Sequence, residues 1–215
     1  MQRRLVQMIV VLALAVLPAV PAAAADDGWT LRLYGAWARP DVDLREKVSD
    51  FPIRVGSNGA PGGGVGIEYC VRPWVGLGLE ALHARPDIVL DADLPGGRRR
   101  VSDGLSFTPF SLGPVVHLTP GRPVDVSVTA MLGFAAYGDL VFATDGQELR
   151  LRGGSDVLWG VGAGIDIRPG ASNWAVHAGV RLYRSTPEFT NQDNGVVGSV
   201  TFNPVVVNVG IGYRF

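Results

Sequence analysis

The chain has one cysteine, Cys70, and one lysine, Lys47, among 215 residues. A lone cysteine excludes an intrachain disulfide, and on a strand it reads as a small packing residue rather than a reactive thiol. Positive charge comes almost entirely from arginine, which reads as compositional bias. Lys plus Arg total 19 against 20 Asp plus Glu, so the net charge is -1 and no broad basic surface exists to neutralise nucleic acid. Long hydrophobic runs are missing beyond the first residues. Gly, Pro, Asp or Arg interrupts every later apolar stretch, which excludes a membrane-spanning helix of about 20 apolar residues.

The sequence does contain 29 glycines and has a positive mean hydropathy, unusual for a soluble secreted domain. Its start has three parts in order. Arg3 and Arg4 are basic, Leu5 to Val20 is apolar apart from Gln7 and Pro18, and Ala22 to Ala25 offers small-residue cleavage registers before Asp26 and Asp27. That order is a secretory signal peptide. An N-terminal anchor is the alternative, but the apolar core falls short of the roughly 20 residues a span requires. The expected division is a signal peptide over 1–25 and one β-barrel domain over 26–215. Export, high apolarity and no membrane helix are compatible if apolar residues occupy one face of strands in a closed barrel.

Period-2 alternation supports this. In a first strand from Trp29 to about Arg39, Trp29, Leu31, Leu33, Gly35 and Trp37 share one face and Thr30, Arg32, Tyr34, Ala36 and Ala38 the other. Further strands are read over Gly63 to Val71, Trp74 to about His83, Leu105 to Leu118, Val124 to Tyr137, Asp156 to Ile167, Trp174 to about Tyr183, and a last one ending at Phe215. The fourth contains Pro109 and Pro114, each of which removes a ladder donor. Long polar connections (Pro40 to Pro61, Ala84 to Gly104, Gly138 to Ser155, Arg184 to Ser199) alternate with short turns, two of which open on Arg-Pro at Arg72-Pro73 and Arg168-Pro169. Eight strands in this long–short rhythm predict an all-β, eight-stranded antiparallel up-and-down transmembrane β-barrel with short periplasmic turns and long external loops. Trp29, Trp37, Trp74 and Trp174 are expected at the membrane interfaces. This places the chain in the Gram-negative outer membrane, in contact with its lipid and lipopolysaccharide.

The chain ends on Val209, Ile211, Tyr213 and Phe215 at every second position. This resembles the signal read by the barrel-assembly machinery, whose task is to pair the last strand with the first so that no edge is left in lipid. The closing stretch Val200 to Phe215, with Pro204 near its start and Gly210-Ile-Gly-Tyr-Arg-Phe215 at its end, resembles the outer-membrane protein W (OmpW/AlkL) family of eight-stranded barrels. Trp29 to Pro40 and Trp159 to Asp166 resemble it more loosely. The resemblance implies passive passage of small hydrophobic molecules along an apolar path that can leave sideways through the barrel wall. A structural or adhesive surface barrel working through its external loops is the alternative. Arg98-Arg99-Arg100 in the second loop reads either as a solvated charge run or as a contact for lipopolysaccharide phosphates.

An eight-stranded barrel has an interior that side chains can fill or that holds one small ligand. The predicted inner face is rich in glycine (Gly64, Gly66, Gly76, Gly78, Gly133, Gly160, Gly162, Gly164). Its polar members are Arg32, Tyr34, Glu68, Glu80, Asp125, Asp166, His177, Arg181 and Arg214. Arg32 and Glu68 lie at similar depth on neighbouring strands and can pair. Together these groups read either as a salt-bridge network plugging the lumen or as a polar floor that diverts an apolar ligand sideways. No catalytic residue is expected. His83, His117 and His177 lie on three strands with no serine in a recognisable pattern, and the H-x-S-N motif of lipid A deacylase barrels is missing. No two histidines have a ligand spacing, so neither metal nor cofactor is expected.

Overall fold

The computed structural model describes residues 28–44, 53–94, 97–144, 147–170, 172–192, 195 and 197–215. The expected signal peptide lies outside the described residues, as do the side chains of Arg98 and Arg99. Eight long strands form the staves: β1 (Trp29–Leu44), β3 (Ala60–Arg72), β4 (Val75–Ala84), β7 (Phe107–His117), β8 (Val124–Tyr137), β11 (Ser155–Ile167), β12 (Trp174–Arg184) and β14 (Val197–Arg214). Their order β1-β3-β4-β7-β8-β11-β12-β14 returns to β1, and every pairing is antiparallel. The closing ladder of β1 and β14 runs from Thr30↔Arg214 to Leu44↔Val200. Both ends of the described chain sit at the end with short turns, where Phe215 N–H donates to Trp29 O at 2.9 Å. Gly121 and Gly170 take positive φ (73° and 61°) in two of those turns, which glycine allows at no steric cost.

Side chains follow the strand period. Leu33, Trp37, Leu77, Leu79, Leu132, Phe134, Val157, Val161, Val207 and Val209 are exposed on the outer surface. Tyr34, Ala38, Glu68, Met131, Asp166, Tyr183, Val206 and Asn208, from the alternate positions, are buried inside. A continuous apolar outer band of this extent would be an aggregation surface in water, whereas lipid satisfies it. Tyr34 needs two glycines to lie inward: a Cβ at Gly64 would meet its ring at 2.5 Å, and one at Gly210 would meet its Cβ at 2.6 Å. Leu132, 64% exposed, provides a test of the lipid face. Leu132→Arg lowers unfolding free energy in lipid vesicles by about 2–4 kcal/mol if it faces the bilayer midplane. A change within about 0.5 kcal/mol on urea titration would be that of a water-facing site.

Among the described residues, the connections read as polar loops hold six further strands, which corrects the sequence reading. β2 (Ile53–Asn58), β5 (Asp87–Leu94) and β6 (Gly97–Gly104) form a three-stranded sheet. β9 (Leu140–Thr144), β10 (Gln147–Arg152) and β13 (Glu188–Asn191) extend the main sheet beyond β14. Ile88, Val89, Leu140, Phe142 and Phe189 are buried there, so these segments fold over the barrel mouth. Charged residues interleave with the apolar ones in Asp87-Ile-Val-Leu-Asp and Gln147-Glu-Leu-Arg-Leu-Arg, and average polarity hid their alternation. β1, β3 and β14 are also longer than read from sequence, because they run past the membrane band into these extensions.

Candidate functional site

Inside the barrel the side chains form two layers. Toward the short-turn end lies a charged floor. Arg32 on β1 donates from Nη1 to Glu68 Oε2 on β3 at 2.7 Å and from Nη2 to Asp166 Oδ2 on β11 at 2.8 Å. Asp166 Oδ1 accepts from His177 Nδ1 on β12 at 2.8 Å. Glu68 Oε1 faces His117 Nε2 on β7 at 2.6 Å, and His117 Nδ1 faces Asp125 Oδ2 on β8 at 2.8 Å. The chain Asp125–His117–Glu68–Arg32–Asp166–His177 thus ties six of the eight staves across the lumen. Two carboxylates on either side of one guanidinium are the arrangement in which buried charge is satisfied rather than stranded. Strand alternation points each member inward; only closure of the barrel brings them together.

Above the floor, Glu80 on β4 meets Arg181 on β12, with Oε2 accepting from Nε at 3.3 Å and from Nη2 at 3.2 Å. Arg181 also donates to Ala163 O at 3.2 Å, and Tyr183 Oη donates to Glu80 Oε1 at 3.4 Å. A cavity of about 40 Å³ separates this pair from the floor, lined among others by Arg32, Tyr34, Glu80, Ser111, His177 and Arg181. It is large enough for water but not for an organic solute. Arg214 lies apart from these groups, at the short-turn rim in a shallow pocket with Arg122 and Arg168.

The second layer is aromatic and apolar. Phe107 packs against Phe202 (ring centroids 5.1 Å), Tyr137 (5.7 Å) and Tyr183 (6.4 Å), and Tyr137 against Phe189 (6.3 Å). Leu82, Leu105, Leu140, Phe142 and Leu158 complete this buried cluster. Beside it the wall is weakened. The β4–β7 ladder steps from Ala81↔Phe110 to Ala84↔Phe107, skipping Leu82, His83, Thr108 and Pro109. The β7–β8 ladder steps from Leu112↔Leu132 to Val115↔Thr129, around Pro114. The prolines are five positions apart, and odd spacing sends their missing donors toward opposite neighbours. On the outer side of the first gap, the His83 Nδ1 to Thr108 Oγ1 contact of 2.8 Å bridges the strands.

The terminal positions Val209 and Ile211 face outward, and Tyr213 packs edge-to-face with both Trp174 (ring centroids 4.8 Å) and Phe215 (4.9 Å). Trp29 lies against Tyr69 (4.9 Å), and Trp37, Trp74 and Trp174 are exposed on the outer surface. Sequence reasoning missed His117, Ser111 and Asn208 as members of the polar interior. His117 shares parity with Phe107, Pro109 and Ser111 on β7, a signal that the two prolines obscured.

No curated protein matches the chain in sequence. Among solved structures it is similar to the outer membrane protein OprG of Pseudomonas aeruginosa, at 13% identity with TM-score 0.60, covering 88% of this chain and 96% of that one. It is also similar to the outer membrane protein AlkL, solved in lipid bilayers, at 16% identity and TM-score 0.53, covering 92% and 94%. Ail, the attachment invasion locus protein of Yersinia pestis, solved with the heparin analogue sucrose octasulfate, matches at 17% identity and TM-score 0.51, covering 89% and 100%. These likenesses establish a shared fold, the small outer-membrane barrel that AlkL also adopts. A family model described as outer membrane protein beta-barrel domain matches residues 9–215. With a closed eight-stranded barrel, an apolar outer face and that match over nearly its whole length, the chain belongs to the outer membrane protein beta-barrel domain family, whose members reside in the Gram-negative outer membrane.

Proposed function

We propose that the barrel gives passive passage to small hydrophobic molecules, which pass from the outside into the aromatic layer and leave sideways between β4 and β7. One juxtaposition carries this reading: a charged floor closes the axial route directly below an aromatic layer, and the wall beside that layer lacks ladder bonds at Pro109. An apolar solute gains nothing by crossing the floor, whereas the membrane beyond the wall solvates it. The aromatic layer is packed in the described state, so passage requires its rings and the overlying strands to part. The resemblance of the closing strand to the OmpW/AlkL family supports the same activity. The reading involves no covalent chemistry. Lipid and lipopolysaccharide surround the apolar band, and the barrel-assembly machinery reads the end at Phe215.

The test uses refolded protein in liposomes and an apolar fluorescent solute added outside. Uptake is expected to be faster than in empty liposomes and to stay faster at high salt; no gain over the empty control would overturn the reading. A second reading, a structural or adhesive surface barrel, draws support from the closely packed lumen and from the sheet of β2, β5 and β6 over the mouth. Under it, deletion of the β5–β6 hairpin abolishes surface binding while the barrel still folds.

A further inference from the structure

The charged floor contains a donor set that an ion pair alone does not need. Glu68 and Cys70 project inward from β3 at i and i+2, and His117 reaches the same point from β7. Glu68 Oε1, the Cys70 Sγ and a ring nitrogen of His117 all lie within 4.8 Å of one another, and all three residues are buried. We propose that Glu68, Cys70 and His117 bind a divalent zinc ion.

Carboxylate, thiolate and imidazole together form a borderline-soft set suited to tetrahedral Zn²⁺, with a fourth position left for water. The Cys70 Sγ to Glu68 Oε1 distance of 3.6 Å is close to the edge of such a tetrahedron, about 3.5 Å for bonds near 2.3 Å to sulfur and 2.0 Å to oxygen. His117 Nε2 and Glu68 Oε1, now 2.6 Å apart, must separate by about 0.7 Å to span their own edge.

The surroundings are arranged as around a metal. Asp125 holds His117 Nδ1 at 2.8 Å, which fixes the ring with Nε2 aimed into the cluster, and Arg32 anchors the other oxygen of Glu68 at 2.7 Å. A carboxylate behind a ligating histidine is the usual supporting contact of such sites. Gly76, paired with Cys70, leaves room here: a Cβ would stand 2.5 Å from Glu68 Oε1. The charges also balance. His117 has both ring nitrogens against carboxylate oxygens and so donates from both. Exchange of its Nε2 proton and the Cys70 thiol proton for one Zn²⁺ releases two protons and leaves the total charge of the floor unchanged. Because the site is buried, the ion is taken up as the barrel closes.

The experiment refolds the full barrel in detergent with Co²⁺ and records its absorption, then adds Zn²⁺. One Co²⁺ per barrel is expected, with a thiolate-to-cobalt charge-transfer band and the intense visible bands of tetrahedral cobalt, both lost when Zn²⁺ displaces it. Cys70→Ala removes the charge-transfer band and His117→Gln removes the tetrahedral visible bands. Asp125→Asn weakens binding by about 10–100-fold. Folding of each variant is checked by the mobility of the compact barrel on unheated gels. The wild type decides the matter by itself: a folded barrel without these bands overturns the proposal, as does a charge-transfer band that survives in Cys70→Ala.

Discussion

Arg32→Met lowers the unfolding free energy of the barrel by about 3–5 kcal/mol, because it strips the cation from two buried carboxylates. Arg32 is the joint of the floor: Glu68 and Asp166 lie on opposite sides of its guanidinium at 2.7 and 2.8 Å, and both are almost wholly buried. Methionine preserves much of the side-chain volume, so the loss measures stranded charge rather than a cavity. The triple variant Arg32→Met, Glu68→Gln, Asp166→Asn regains most of the loss, since removing a whole buried network is far milder than removing one partner. Urea titration in lipid vesicles, followed by tryptophan fluorescence, checks both. A loss below about 1 kcal/mol for the single variant would mean that the pairs are hydrated as surface pairs are, and that the floor is open to water.

Phe107→Ala destabilises by a similar amount, about 3–5 kcal/mol for a fully buried ring. Phe107 has no exposed surface and touches the rings of Phe202, Tyr137 and Tyr183. Its removal also separates the two functional readings. If apolar solutes cross this layer, the vacated space beside the β4–β7 gap raises their uptake into liposomes severalfold despite the loss of stability. If the barrel is only structural, Phe107→Ala is a weaker barrel with no uptake above the empty-liposome control.

Much of this architecture is legible in the sequence, for a simple reason. In a thin barrel wall each strand position is either inside or outside, so the parity of Trp29 to Ala38, or of Trp174 to Tyr183, decides the surroundings of every side chain. Depth along the barrel axis is legible for neighbours such as Arg32 and Glu68, which lie two positions apart in the β1–β3 register. Contacts across the lumen are not. His117 and Glu68 lie on strands separated by β4, and Arg32 and Asp166 on strands separated by two others in the closing direction. Their meeting depends on barrel diameter and stagger, which no local pattern encodes. The strands over the mouth escaped notice for a different reason: they are half in water, so one face carries the charge (Asp87 and Asp91 in β5; Glu148, Arg150 and Arg152 in β10) and each segment is polar on average although it alternates.

The most direct test of the proposed passage locks the gap itself. His83 and Thr108 face each other across the interrupted β4–β7 ladder, at the separation of directly opposed residues, which suits a disulfide. His83→Cys with Thr108→Cys, in a Cys70→Ala background, is refolded into liposomes and assayed for uptake of the apolar solute, oxidised and then reduced. The account predicts uptake near the empty-liposome level when oxidised and recovery to that of the Cys70→Ala parent on reduction. Uptake unchanged by oxidation, with the disulfide formed, would contradict a sideways exit between β4 and β7.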